Sequence, residues 1–138
     1  MEERNLQKNI AQLLKLLDLH GWPLASEVTE TAAAGAALII NHSTYAIRSK
    51  YFPMLEKAFE QGEASSLLYA QMCDRLLVEE QKEQRFGTQI KFEDLRKEPY
   101  PISDPGNVDQ RRTAIGLEPL APYLKSKFNI DWNIPKKE

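Results

Sequence analysis

The sequence predicts a mainly α protein, a compact bundle of about five to six helices with a small extended or hairpin element near residues 86–103. Three observations predict this. Apolar residues recur at three- and four-residue spacing over most of the chain, the pattern of helices with one buried face. Glycine and proline punctuate those stretches at helix-length intervals. Strand-like alternation is confined to the segment from Phe86 to Phe92.

Residues 5–19 place Leu6, Ile10, Leu13, Leu14 and Leu17 on one helical stripe, and His20-Gly21-Trp22-Pro23 ends it, with Gly21 as a left-handed cap and Pro23 as a breaker. Trp22 then reads as a hydrophobic lid where the first two helices meet. The Ala-rich stretch from Glu27 to His42 reads as the central, most buried helix, because small side chains let neighbours approach closely. A third helix covers 47–61, with Pro53 at its first turn or just after a short preceding turn. Its stripe is Phe52, Leu55, Ala58 and Phe59, and Gln61-Gly62 stops it. Ser65 or Ser66 caps a fourth helix running to about Glu80, whose core face carries Tyr69, Met72, Cys73 and Leu76.

Beyond Gln84 the pattern changes. Residues 86–92 read as a strand, and 94–103 as a possible partner that Pro99 and Pro101 limit to an edge. Asp104-Pro105 is a helix start, with the Asp capping and the Pro first in the helix. That helix ends at Gly116, and Glu118-Pro119 opens a last one to about Phe128. The expected organisation is one helical domain over 1–128 and a loosely attached arm over 129–138. The expected core joins Leu38, Ile39, Leu55, Phe59, Met72, Cys73 and Leu76.

Composition narrows the function classes. With 138 residues, 42% of them hydrophobic, the chain can build one core. No apolar run reaches the roughly 18–20 residues of a membrane span, and the charged start Met1-Glu2-Glu3-Arg4 is unlike a secretory signal. The expected location is cytoplasmic. Eighteen Lys and Arg against twenty Asp and Glu leave no basic footprint for nucleic acid. One cysteine, Cys73, makes neither a disulfide nor a thiolate zinc site. No nucleotide-binding or hydrolase signature occurs, and neither a metal nor a cofactor is expected.

Several polar residues stand out. His42 falls on an apolar side of its helix, where it reads either as a hydrogen-bonded core histidine suited to the helix dipole or as an acid–base group. Asp74-Arg75 lies opposite the Tyr69/Cys73/Leu76 face. That face is either solvated or, because Leu67 and Val78 flank Asp74, covered. If it is covered, Asp74 needs a partner, and His42, Arg111 and Arg112 are the candidates. Gly87-Thr88-Gln89 offers a backbone N–H, a hydroxyl and an amide to a ligand, or makes an ordinary turn. Arg111 and Arg112 flank the Val108/Ile115 stripe. They suit bidentate capture of a carboxylate or phosphate, or surface salt bridges to Asp104 and Asp109.

The ordered set His20-Gly21-Trp22-Pro23, His42 after an Ala-rich helix, Asp74-Arg75, Phe86-Gly87-Thr88-Gln89, Pro101-Ile102-x-Asp104 and Val108-Asp109-x-Arg111-Arg112-x-x-x-Gly116-Leu117 resembles a family of small bacterial proteins classed as a domain of unknown function. The resemblance spans about residues 10–124. It implies that His42, Asp74, Arg75, Gln89, Arg111 and Arg112 belong to a shared pattern, and it brings no activity with it. The resemblance further implies that many relatives carry an additional N-terminal segment with an Asp-Gln-x-x-Arg motif, which is not expected in this sequence. It also implies that alanine is more usual where Ser43 follows His42.

The expectation from these residues is a polar pocket for a small anionic ligand. His42 and Asp74 would be its acid–base or catalytic groups, and Arg75, Thr88, Gln89, Arg111 and Arg112 would bind the ligand. If the pocket is catalytic, its chemistry would be hydrolysis, isomerisation or elimination. The alternative is a non-catalytic module that contacts a partner protein. Convergent polar groups in a cleft favour the first reading, and an exposed apolar patch favours the second.

Overall fold

A computed structural model describes residues 2–135, with side chains from residue 8 onward; the side chain of the expected stripe position Leu6 and the arm residues 136–138 lie outside the described residues. Two compact units, Met1–Tyr69 and Ala70–Glu138, divide the chain.

The first unit is helical. Helix α1 (Glu2–His20) closes at Gly21, whose φ of +75° is the left-handed cap its sequence signals. Helix α2 (Glu30–Asn41) starts at Thr29, whose hydroxyl accepts the Ala32 N–H at 3.0 Å. Helix α3 (Tyr45–Glu60) starts at Thr44, which accepts the Ile47 N–H at 3.3 Å. This cap sets the helix two residues earlier than expected and leaves Pro53 inside it, where proline removes one intrahelical hydrogen bond. Helix α4 (Ser66–Glu79) begins in this unit, and the Ser65 hydroxyl accepts the Leu68 N–H at 3.3 Å.

Helix α2 buries one face rather than its whole girth. Ala33, Ala36, Ala37 and Ile40 are buried, while Leu38 is 44% exposed and Ile39 is half-buried. The reason is the 3.6-residue period: with Ile40 turned inward, Leu38 sits some 200° around the wheel. The core of this unit is Leu17, Trp22, Ile40, Tyr51 and Leu55, with the α2 alanines. Phe59, expected in the core, is half-buried and stacks on Tyr69 with ring centroids 4.1 Å apart. The Tyr51 hydroxyl donates to Asp18 at 2.8 Å, tying α3 to α1.

The second unit holds the rest of α4, a hairpin and two further helices. Met72, Cys73 and Leu76 are buried, as the periodicity predicts. Strand β1 (Ile90–Glu93) pairs antiparallel with β2 (Arg96–Pro99), in the register Ile90 to Pro99 and Glu93 to Arg96. The turn residues Asp94 and Leu95 both have positive φ, as a tight hairpin turn requires. The strand starts four residues later than expected because residues 85–88 turn inward toward Asp74.

Asp104 does not cap a helix. It is left-handed at φ 42° and ψ 66°, and Pro105–Asn107 form a 3-10 turn before α5 (Val108–Ala114). Helix α6 (Leu120–Phe128) follows. Asn129 closes α6 in the left-handed region, and the Ile130 N–H reaches back to the Leu124 carbonyl at 3.1 Å. Ile130 is buried, so the described start of the arm is anchored rather than loose.

Candidate functional site

The polar motifs of the second unit converge on one loop. Asp74 sits mid-way along α4 and is fully buried, so the face that carries it is covered. Its Oδ1 accepts the backbone N–H groups of Arg85 at 2.8 Å and Phe86 at 3.0 Å. Its Oδ2 accepts the Thr88 N–H at 3.0 Å and the Thr88 hydroxyl at 2.7 Å. Burial pushes the Asp74 carboxyl above the usual carboxylate range, against the opposing pull of these hydrogen bonds.

The arginines hold the other ends of the same residues. The Arg111 Nε donates to the Arg85 carbonyl at 2.9 Å, and its two terminal nitrogens donate to the carbonyls of Asp104 and Ser103. Arg112 is fully buried and donates from Nε to the Glu118 carbonyl and from Nη1 to the Phe86 carbonyl, both at 2.6 Å. Its guanidinium lies 4.5 Å from the Tyr123 ring centroid. Burial pulls the pKa of both arginines down. The peptide groups of residues 85 and 86 are therefore clasped from both sides, with their N–H groups on a carboxylate and their carbonyls on guanidinium groups.

The remaining motif residues complete this clamp. Gly87 has φ +78°, and a Cβ there would lie 2.7 Å from both Leu120 Cδ atoms, so conformation and space both call for glycine. The Gln89 side chain donates to the Gln71 carbonyl at 3.3 Å and to the Thr88 hydroxyl at 3.2 Å. Asp109 accepts the Leu120 N–H at 2.8 Å, capping α6, rather than pairing with an arginine. Thr88 and Gln89 thus spend their donors on the protein, as an internal turn.

Two further predicted members have other surroundings. Arg75 is half-buried and pairs with Glu79 at 3.8 Å. His42 is exposed at the C-terminal cap of α2, in the first unit. The expected pairing of His42 with Asp74 is replaced by the four donors from residues 85–88. The dipole role at the end of α2 falls to Arg48, buried, whose guanidinium donates to the carbonyls of Asn41 and Ser43.

Sequence reasoning missed Gln84. It is fully buried and straps the loop to the hairpin, donating to the carbonyls of Gln89 at 3.0 Å and Tyr100 at 2.8 Å and accepting the Gln89 N–H at 2.9 Å. Only its place just ahead of the Phe-Gly-Thr-Gln run signals it, because a glutamine amide in a charged stretch has no periodicity to mark it as buried.

A cavity of about 350 Å³ lies in the first unit. Its apolar wall is Ala33, Ala34 and Ala37 of α2 with Leu55, Leu68 and the Trp22 indole, and its polar groups are Glu30, Glu63 and Ser65. Trp22 is 6% exposed, and its indole N–H has no hydrogen-bond partner among the described residues. The Glu63 carboxylate accepts the Ser26 N–H at 2.8 Å and the Ser26 hydroxyl at 2.7 Å, which holds the segment ahead of α2 beside the start of α4. These two hydrogen bonds keep the Glu63 carboxyl below its usual range.

Among the described residues no group of three or more His, Cys, Asp or Glu is placed to hold a metal ion, and no helix is long and apolar enough to cross a membrane. No curated protein and no solved structure matches the chain. A family model does match, from before Leu6 to the buried Ile130 that anchors the arm, so the clamp and the cavity both fall within it. On that match over residues 4–130, the chain belongs to the family of unknown function DUF6624.

Proposed function

We propose that this protein binds a small organic molecule in the cavity of its first unit, and that the Asp74 clamp is the scaffold of the second unit rather than a ligand pocket. The observation that carries this reading is the cavity itself. Its volume of about 350 Å³ falls in the range of small-molecule sites, roughly 300–1,000 Å³, and its walls are mostly apolar with a few polar groups. The clamp argues the same way from the other side. A carboxylate that already accepts four hydrogen bonds has little capacity left for a ligand or a proton relay. Arg111, expected to capture an anion, points its three nitrogens at carbonyl oxygens instead, and Arg112 does so with Nε and Nη1.

The test uses Trp22 as reporter. Trp132→Phe leaves Trp22 as the single tryptophan, and phenylethylene glycol is the neutral probe. Saturable change in Trp22 emission is expected, and Ala34→Leu, which fills the cavity, abolishes it while unfolding stays cooperative. Binding that survives Ala34→Leu overturns the reading. In that case the exposed apolar residues Leu16 (55%), Leu19 (76%) and Val28 (45%) would make a protein-contact module the better account.

A further inference from the structure

Resting on that small-molecule reading, we propose that the cavity takes an organic ammonium ion with a hydroxyl or carbonyl oxygen close to its nitrogen. Three features of the wall point to this class. First, the charged groups lining the cavity are two carboxylates, Glu30 and Glu63, with no lysine, arginine or histidine beside them. Both hydrogen bonds from Ser26 stabilise the ionised form of Glu63, so its negative charge persists at neutral pH. An anion entering this space meets like charge, and a cation meets opposite charge.

Second, Trp22 is one of the residues that line the same cavity. A cation close to an aromatic face gains from the ring quadrupole, most of all with tryptophan, which adds to what the carboxylates provide. Third, Trp22 is a donor without an acceptor. Its side chain is more than nine-tenths buried and lines the cavity, yet its N–H is unpaired among the described residues. A buried donor left in that state costs about 1–3 kcal/mol in general. The nitrogen itself is closed off from the cavity, so a ligand oxygen relieves that cost only when the ring swings to present its N–H there. The alanines at 33, 34 and 37 leave the space that a larger residue would fill. An amino alcohol or amino carbonyl compound supplies both the charge and the acceptor.

The experiment compares three aromatic probes of nearly equal shape in the Trp132→Phe protein: phenylethanolamine as cation, phenylethylene glycol as neutral molecule and mandelate as anion. The affinity order expected at pH 7 is cation, then neutral, then anion. Glu30→Gln and Glu63→Gln are each expected to cut the cation-to-neutral ratio by up to about fivefold, the upper end for pairs that remain in contact with solvent. Because the ratio is taken within each variant, a change of cavity shape that affects both probes cancels from it. Equal affinity for all three probes, or preference for mandelate, overturns the ammonium proposal and leaves the cavity reading intact. Failure of every probe to change Trp22 emission overturns both.

Discussion

The Asp74 carboxylate accepts both the backbone N–H and the side-chain hydroxyl of Thr88, at 3.0 and 2.7 Å. Two residues fourteen positions apart are thereby locked by one carboxylate oxygen, and the other oxygen fixes Arg85 and Phe86. Asp74→Asn keeps the shape but turns an NH2 group toward backbone donors. Its expected cost is about 2–4 kcal/mol, from at least one lost charge-assisted hydrogen bond and one buried N–H left unpaired. Thr88→Val removes only the hydroxyl bond and should cost about 1.5–3 kcal/mol. Urea unfolding of the two variants checks this; losses under about 0.5 kcal/mol would mean that the loop is held by something else.

The pH dependence of Asp74 follows from its burial. The folded pKa lies above the unfolded value of about 3.9. Between those two values the unfolded chain binds fewer protons than the folded one, so stability falls as pH rises. The Asp74 contribution is full below about 3.9 and is lost as pH climbs through the raised folded value. The difference in unfolding free energy between wild type and Asp74→Asn, measured from pH 3 to pH 7, should therefore drift against the wild type as pH increases. A drift of opposite sign would show that the hydrogen bonds outweigh burial.

Gly87→Ala should destabilise by about 1–3 kcal/mol. Positive φ costs an alanine about 1–2 kcal/mol, and the new Cβ meets the Leu120 side chain at 2.7 Å. Leu120 is fully buried and has little room to withdraw. Thermal unfolding of Gly87→Ala and of Gly87→Ala with Leu120→Ala separates the two contributions. A double variant that recovers nothing relative to Leu120→Ala alone is the expected sign that conformation dominates.

Arg112→Met and Arg111→Met should differ in size. Arg112 is fully buried, and its loss leaves the carbonyls of Phe86 and Glu118 without those donors, at an expected cost of about 2–4 kcal/mol. Arg111 sits at the surface end of the clamp and should cost about 1 kcal/mol. Chemical denaturation measures both. A sulfate series at matched ionic strength should shift wild type and Arg111→Met alike, and selective loss of the shift in the variant would restore the anion-pocket expectation.

Leu55→Ala should cost about 2–5 kcal/mol because Leu55 is 1% exposed in the first unit. Phe59→Ala should cost less than the roughly 3–5 kcal/mol of a fully buried phenylalanine, since Phe59 is half-buried against Tyr69. The ordering of the two midpoints in urea is the readout.

The sequence by itself determined which stretches are helices and where most of them stop. Three- and four-residue spacing marks the buried stripe of α4, and Gly21, Gly62 and Gly116 all take the positive φ that stops a helix. These are local properties, set by backbone sterics and by a repeat that shows in any short window. The expectation of a family of unknown function also held. What the charged and polar residues touch was decided by tertiary structure alone. Asp74, with His42, Arg111 and Arg112 as the expected partners, instead found the backbone of residues 85–88. Arg112, which reads equally as a ligand group or a surface cation, found the Phe86 and Glu118 carbonyls. Backbone N–H and carbonyl groups are present at every residue and leave no mark in a sequence, so a side chain that will pair with them looks the same as one left open for a ligand. Only the folded loop, which brings residues 74, 86 and 112 together, separates the two.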